Sequence, residues 1–108
     1  MNKDEIYDLT EIKRRLAPVF KANGVKSAVL FGSYATGEAT ARSDVDILVD
    51  SGLRGLDFVG LIEHAREALQ KDVDLIETRY LKENAGLKQE ITKNGITIYG
   101  DERRDFSN

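Results

Sequence analysis

Two aspartates, Asp44 and Asp46, stand two residues apart in Asp44-Val45-Asp46. In an extended chain, side chains two apart leave the same face, with Cα atoms roughly 6.5 Å apart. Like charges held so close repel, and burying them is costly without a cation between them. A hard divalent ion relieves that repulsion, because its preferred ligands are oxygens. Two ions roughly 3.5–4 Å apart can bridge such carboxylates to a phosphoryl centre. Asp74, in Asp72-Val73-Asp74-Leu75-Ile76, is the natural third ligand. It belongs to a separate predicted strand, and neighbouring strands run about 4.8 Å apart. Asp72 leaves the same face and competes for the role. Asp74 is preferred because it lies deeper in the apolar segment, where a charge needs a reason.

Gly32-Ser33 precedes the acidic pair by ten residues, Tyr34 through Ser43. It leaves one apolar run and leads toward a helix start. Such a turn presents backbone N–H groups that bind phosphate. Glycine lets the backbone approach closely, and serine adds a hydroxyl. Each piece alone is weak. With ten Asp in the chain, an Asp-x-Asp pair is expected by chance, and two occur. Alone, Asp-x-Asp is a solvated strand face and Gly-Ser is a turn. The signal is their order: apolar strand, Gly-Ser, ten residues, acidic pair opening a second strand, and a later Asp within an apolar run.

The remaining chain must position these groups. Ile6, Leu9, Ile12, Leu16, Val19 and Phe20 make a helical stripe, with Asp8 and Glu11 or Thr10 at its start and Asn23-Gly24 at its end. Pro18, the one proline, predicts a kink or break near Ala17. Ser27 to Phe31 reads as a buried strand. Tyr34 to Ser43 reads as a short helical turn and a loop. Val45, Ile47 and Val49 alternate with Asp44, Asp46, Leu48 and Asp50, a strand with one apolar and one largely acidic face. Asp57 is placed to cap a helix lined by Phe58, Leu61, Ile62, Ala65 and Leu69. Asp72 to Ile76 is a further strand. Leu81, Leu87 and Ile91 predict a helix interrupted by Gly86 and stopped by Asn94-Gly95. Ile96 to Tyr99 is the last strand, and the polar tail 101–108 is expected to fray. Strands alternating with helices predict an α/β layer with helices over one face of a small sheet.

Composition narrows the chemistry. The 108 residues suit one small domain. A formal charge of −3 argues against a dedicated nucleic-acid binder. There is no Cys, which excludes disulfide scaffolds, thiolate zinc sites and cysteine nucleophiles, and the single His excludes multi-histidine metal sites. No apolar run approaches the ~18 residues of a membrane span, and no signal-peptide core opens the chain, so a soluble cytoplasmic domain is expected. Any metal must be held by carboxylates, which favours Mg²⁺, Mn²⁺ or Ca²⁺. Three other residues have a functional and a bland reading. Tyr34 could stack on a base but more often packs on a loop. Lys71 could approach a phosphate or be a surface lysine. His64 is expected to be solvated.

The ordered block resembles the nucleotidyltransferase superfamily that includes DNA polymerase β. It is most similar to the minimal nucleotidyltransferases, the antitoxin halves of HEPN/MNT toxin–antitoxin pairs. The family pattern of Gly-Ser, ten residues and Asp-x-Asp is met by Gly32-Ser33 and Asp44-Val45-Asp46, and Val73-Asp74-Leu75 falls at the position of the family's third carboxylate. The resemblance spans about Ile12 to Gly100. It implies an α/β (α+β) fold of the polymerase β palm type, a small mixed sheet flanked by helices, in one minimal nucleotidyltransferase domain over 1–108. It implies Mg²⁺, as two ions, on Asp44, Asp46 and Asp74, with ATP phosphates at Gly32 and Ser33. Asp74 is also implied as the base for an attacking hydroxyl. Attack on the α-phosphorus would release pyrophosphate. The implied acceptor is a tyrosine of a HEPN toxin, which is adenylylated and silenced, with a hetero-oligomer or homo-oligomer as the working assembly. Many relatives carry Arg where this chain has Thr36, and Arg42 of the same loop is a candidate replacement. Two alternatives accompany this reading. One is an antitoxin that neutralises by binding alone. The other is nucleotidyl transfer to a small molecule or an RNA end.

Overall fold

A computed structural model describes residues 5–100. The tail expected to fray, 101–108, lies outside the described residues. The order is α1 (Leu9–Ala22), β1 (Ser27–Phe31), α2 (Ser33–Thr36), β2 (Val45–Asp50), α3 (Gly55–Leu69), β3 (Val73–Glu77), a 3₁₀ segment (Thr78–Glu83), α4 (Ala85–Asn94) and β4 (Ile96–Tyr99). The strands form one sheet in the order β3-β2-β1-β4. β1 runs antiparallel to both β2 and β4, whereas β2 and β3 are parallel. The parallel pair needs a crossover, and α3 supplies it. The sheet is therefore mixed, as the family resemblance implies.

Local chemistry explains most boundaries. The Asp8 carboxylate accepts the Glu11 N–H at 2.9 Å and caps α1. Asn23 closes the helix, and Gly24 follows with φ +69°. Ile12, Leu16 and Phe20 are fully buried beneath it. Pro18 does not break α1, which runs through it to Ala22. The missing N–H falls on a solvent-facing position of a helix anchored on both sides by core residues. Ile6 departs from the predicted stripe and is 53% exposed, because it precedes the helix.

Two further boundaries differ from the expectation. Asp57 does not cap α3; the helix begins two residues earlier, and Asp57 lies in its first turn. There its charge still complements the helix dipole. Gly86 does not interrupt a helix. Leu81 belongs to the separate 3₁₀ segment, and α4 starts at Ala85, with Asn84 accepting the Leu87 N–H at 3.0 Å as its cap.

Both faces of the sheet are covered, not one. α1 and α3 pack on the face carrying Ala28, Leu30, Val45, Ile47, Val49 and Leu75. On the opposite face Leu81 and Ile91, from the 3₁₀ segment and α4, bury Val29, Phe31 and Leu48. Leu48 is 1% exposed, so an apolar contact interrupts the second face of β2 between Asp46 and Asp50. Among the described residues no helix is long and apolar enough to cross a membrane.

Candidate active site

β1 ends at Phe31 and the chain turns sharply at Gly32, with φ 72° and ψ −154°. This backbone region is open essentially to glycine alone. A Cβ here would also overlap Asp46 Oδ2 and sit 3.2 Å from Asp46 Cγ. Gly32 therefore packs its bare Cα against the Asp46 carboxylate. Ala35 N–H and Thr36 N–H both donate to Gly32 O, at 3.0 and 3.2 Å, and tighten α2. Gly37 ends α2 in the left-handed conformation. The predicted phosphate cradle and the predicted metal-binding pair thus share one wall.

The carboxylates come together by strand register. Asp46 lies opposite Phe31 on β1 and opposite Asp74 on β3. Directly paired residues share a face, so Asp46 and Asp74 point the same way. Asp44 immediately precedes β2 and is exposed, as is Asp74; Asp46 is half-buried. The entry to β2 is pinned by Val45 N–H donating to Asp72 O at 3.1 Å. The loop before it is tied by Ser43 Oγ accepting Thr40 N–H at 2.9 Å, and by Lys71 Nζ donating to Ala41 O at 3.2 Å. The Asp72 carboxylate is exposed and its Oδ1 meets Arg66 Nη2 at 3.3 Å.

The electrostatics match an oxyanion-rich cation site. Burial pushes the Asp46 carboxyl up from 3.8 to about 6, and the charges of Asp74, Asp44 and Glu90 push the same way. A hard divalent cation beside Asp46 would favour its ionised form against those repulsions, and an all-carboxylate donor set suits such an ion. Among the described residues no three acidic or histidine side chains are already closed around one point. Strand pairing sets Asp46 opposite Asp74, and Asp44 lies near enough for its charge to act on Asp46.

Glu90 was not among the sequence candidates. Its Oε2 accepts the Gly32 N–H at 3.1 Å, from α4 across the sheet face. The only signal in the chain is its place next to apolar Ile91 on a helix, which does not say what that helix covers. Other candidates resolve to bland roles. Tyr34 packs against the main core. Lys71 is 6% exposed and braces the loop, so it is neither a surface lysine nor a free phosphate ligand. His64 is exposed, with Nδ1 3.2 Å from Asn23 Nδ2. Thr36 Oγ1 donates to Glu38 Oε1 at 2.8 Å, and Arg42 is exposed.

Comparison with known proteins agrees with this geometry. Residues 14–104 match the family model described as polymerase beta, nucleotidyltransferase. The protein adenylyltransferase MntA of Thermococcus cleftensis is 42% identical over 94 residues, covering 83% of this chain and 88% of that protein. A solved structure of a toxin–antitoxin with AMP-PNP superposes with a TM-score of 0.72 at 26% identity, covering 84% of this chain and 75% of that one. The fold is shared with a chain from a complex of tri-AMPylated Shewanella oneidensis HEPN toxin and MNT antitoxin, with a TM-score of 0.67 at 23% identity, covering 88% of this chain and 75% of that one. With its Gly-Ser turn set against a strand-borne acidic pair and its sequence matched over most of its length, this chain belongs to the polymerase β-type nucleotidyltransferases.

Proposed function

We propose that this nucleotidyltransferase is a protein adenylyltransferase that moves AMP from ATP to a tyrosine hydroxyl of a HEPN toxin, and so acts as its antitoxin in the cytoplasm. In this reading 1–108 is a single minimal nucleotidyltransferase domain. The observation that carries it is the contact of Gly32 with Asp46, which sets a phosphate-binding turn beside paired carboxylates. The name of the Thermococcus cleftensis relative and the AMP-PNP-bound toxin–antitoxin neighbour support the protein acceptor.

Each residue has a task. The Gly32 and Ser33 turn receives the ATP phosphates through backbone N–H groups and the Ser33 hydroxyl. Asp44, Asp46 and Asp74 are the residues that would hold Mg²⁺, as two ions. Bound there, Mg²⁺ would supply neutralisation of the negative charge that develops in phosphoryl transfer. Asp74 accepts the proton of the acceptor hydroxyl; it is exposed, so a hydroxyl presented by another protein can reach it. The new bond joins that oxygen to the α-phosphorus, and the bond to pyrophosphate breaks.

The test is intact-mass spectrometry of a HEPN protein incubated with this chain, ATP and Mg²⁺. The expected result is a gain of one or more AMP units that is absent with Asp44→Asn. An unchanged toxin mass alongside a stable complex would instead support neutralisation by binding alone. Thr36 favours that second reading, since its hydroxyl is bonded to Glu38 where many relatives place a cation. In that case Asp44→Asn and Asp46→Asn would still neutralise the toxin.

A further inference from the structure

We propose that Glu90 is a built-in occupant of the phosphate-binding turn: its carboxylate holds the Gly32 N–H until a nucleotide phosphate takes the same donor. The inference rests on the reading of Gly32 and Ser33 as the phosphate cradle and deepens it.

Among the described residues, the hydrogen bond Glu90 makes is to the Gly32 N–H. It sits on α4, whose Ile91 is buried against the sheet face that also carries Asp46 and Asp74. Gly95 lets α4 come in close: a Cβ there would lie 2.5 Å from Ile91 O and 2.8 Å from a methyl of Val29. That approach brings Glu90 Oε2 to 3.1 Å from Gly32 N. Among the described residues no ion pair to Glu90 is formed. It is instead an acidic side chain near Asp46, on which its charge acts together with those of Asp74 and Asp44. A lone anion among anions is held by whatever donor it finds, and here that donor is a backbone N–H of the turn.

An incoming phosphate offers the same N–H the same kind of acceptor. Exchange leaves Gly32 hydrogen-bonded throughout, while α4 keeps its anchor on Ile91. Only the Glu90 side chain must swing away. Until it does, it excludes phosphate by occupancy and by charge. A divalent cation on the aspartates weakens the charge part. Glu90 therefore makes nucleotide binding depend more steeply on the cation than the aspartates alone would.

The experiment is calorimetric titration of wild type, Glu90→Ala and Glu90→Gln with ATP, in EDTA and in Mg²⁺, followed by KM and kcat for AMP transfer. Glu90→Ala is expected to bind ATP in EDTA about tenfold more tightly than wild type, the size of one competing charge-assisted hydrogen bond. Glu90→Gln keeps the shape and an acceptor oxygen but loses the charge, and should fall between. The gain should shrink in Mg²⁺ and appear in KM for ATP rather than in kcat. Equal affinities in all three proteins, weaker binding in the variants, or a fall in kcat at constant KM would overturn the inference. If Glu90→Ala does not fold, the near-isosteric Glu90→Gln decides alone. Wild type that binds no ATP even with Mg²⁺ would overturn the cradle reading and this inference with it. Wild type that binds, with unchanged variants, overturns only the role of Glu90.

Discussion

The Cα of Gly32 rests against the carboxylate of Asp46, so closely that any Cβ at position 32 would overlap Asp46 Oδ2. Gly32 immediately follows β1, Asp46 is the second residue of β2, and the two strands are antiparallel neighbours. The turn and the acidic pair cannot be altered independently. Gly32→Ala should lose about 1–2 kcal/mol of stability, because alanine is strained at φ 72°. The new methyl should also swing the Asp46 carboxylate aside. AMP transfer should then fall more than tenfold under conditions where thermal unfolding shows a folded protein. Full activity in a folded Gly32→Ala would remove the link between the two residues.

Asp46→Asn separates function from stability. If Asp46 holds the metal as proposed, loss of its charge should lower AMP transfer by at least about a hundredfold. The same change should stabilise the metal-free protein. In the folded chain the Asp46 carboxyl is raised from 3.8 to about 6. Its protonated form therefore favours the fold, and that contribution is lost as pH rises from about 4 through about 6. Because the side chain is half-exposed, the effect is screened to the order of 1 kcal/mol. Chemical denaturation in EDTA should find Asp46→Asn more stable than wild type at pH 8 and equal to it near pH 4.

Pro18 lies within α1 at an exposed position. Pro18→Ala restores a helical N–H and removes the ring's clash with the preceding turn. It should raise stability by about 1–3 kcal/mol, read as an increase in the unfolding midpoint, with AMP transfer unaltered. A loss of stability would mean that the ring packs productively against something α1 needs.

Glu77 is a carboxylate 3% exposed at the far end of β3 from the site. It accepts the Ser51 N–H at 3.0 Å and the Gly52 N–H at 3.5 Å, and it also accepts the Ser51 hydroxyl. It clamps the turn that leads from β2 toward α3. Glu77→Ala strands those donors and should cost about 2–4 kcal/mol. KM for ATP should not change at a temperature where the variant is folded. A changed KM with unchanged stability would place this clamp in nucleotide binding instead.

Much of this protein is written locally in its chain. The stripe Ile12, Leu16, Phe20 specifies α1, and Asp8 its start, because both signals act within four residues. The alternation through Val45, Ile47 and Val49 specifies β2 and puts Asp44 and Asp46 on one face, because side-chain direction in a strand is a property of the backbone. The same local spacing of Gly32-Ser33 before the acidic pair points to the family. What the chain could not declare is what faces what across space. The preference for Asp74 over Asp72 became geometry only when β3 paired in parallel with β2 and set Asp74 opposite Asp46. The second apolar layer on Leu48, the bracing Lys71 and the hydrogen bond from Gly32 to Glu90 all depend on where later elements dock. Periodicity reports which side of an element is apolar. Register and packing decide which groups meet, because they are set by contacts between residues far apart in the chain.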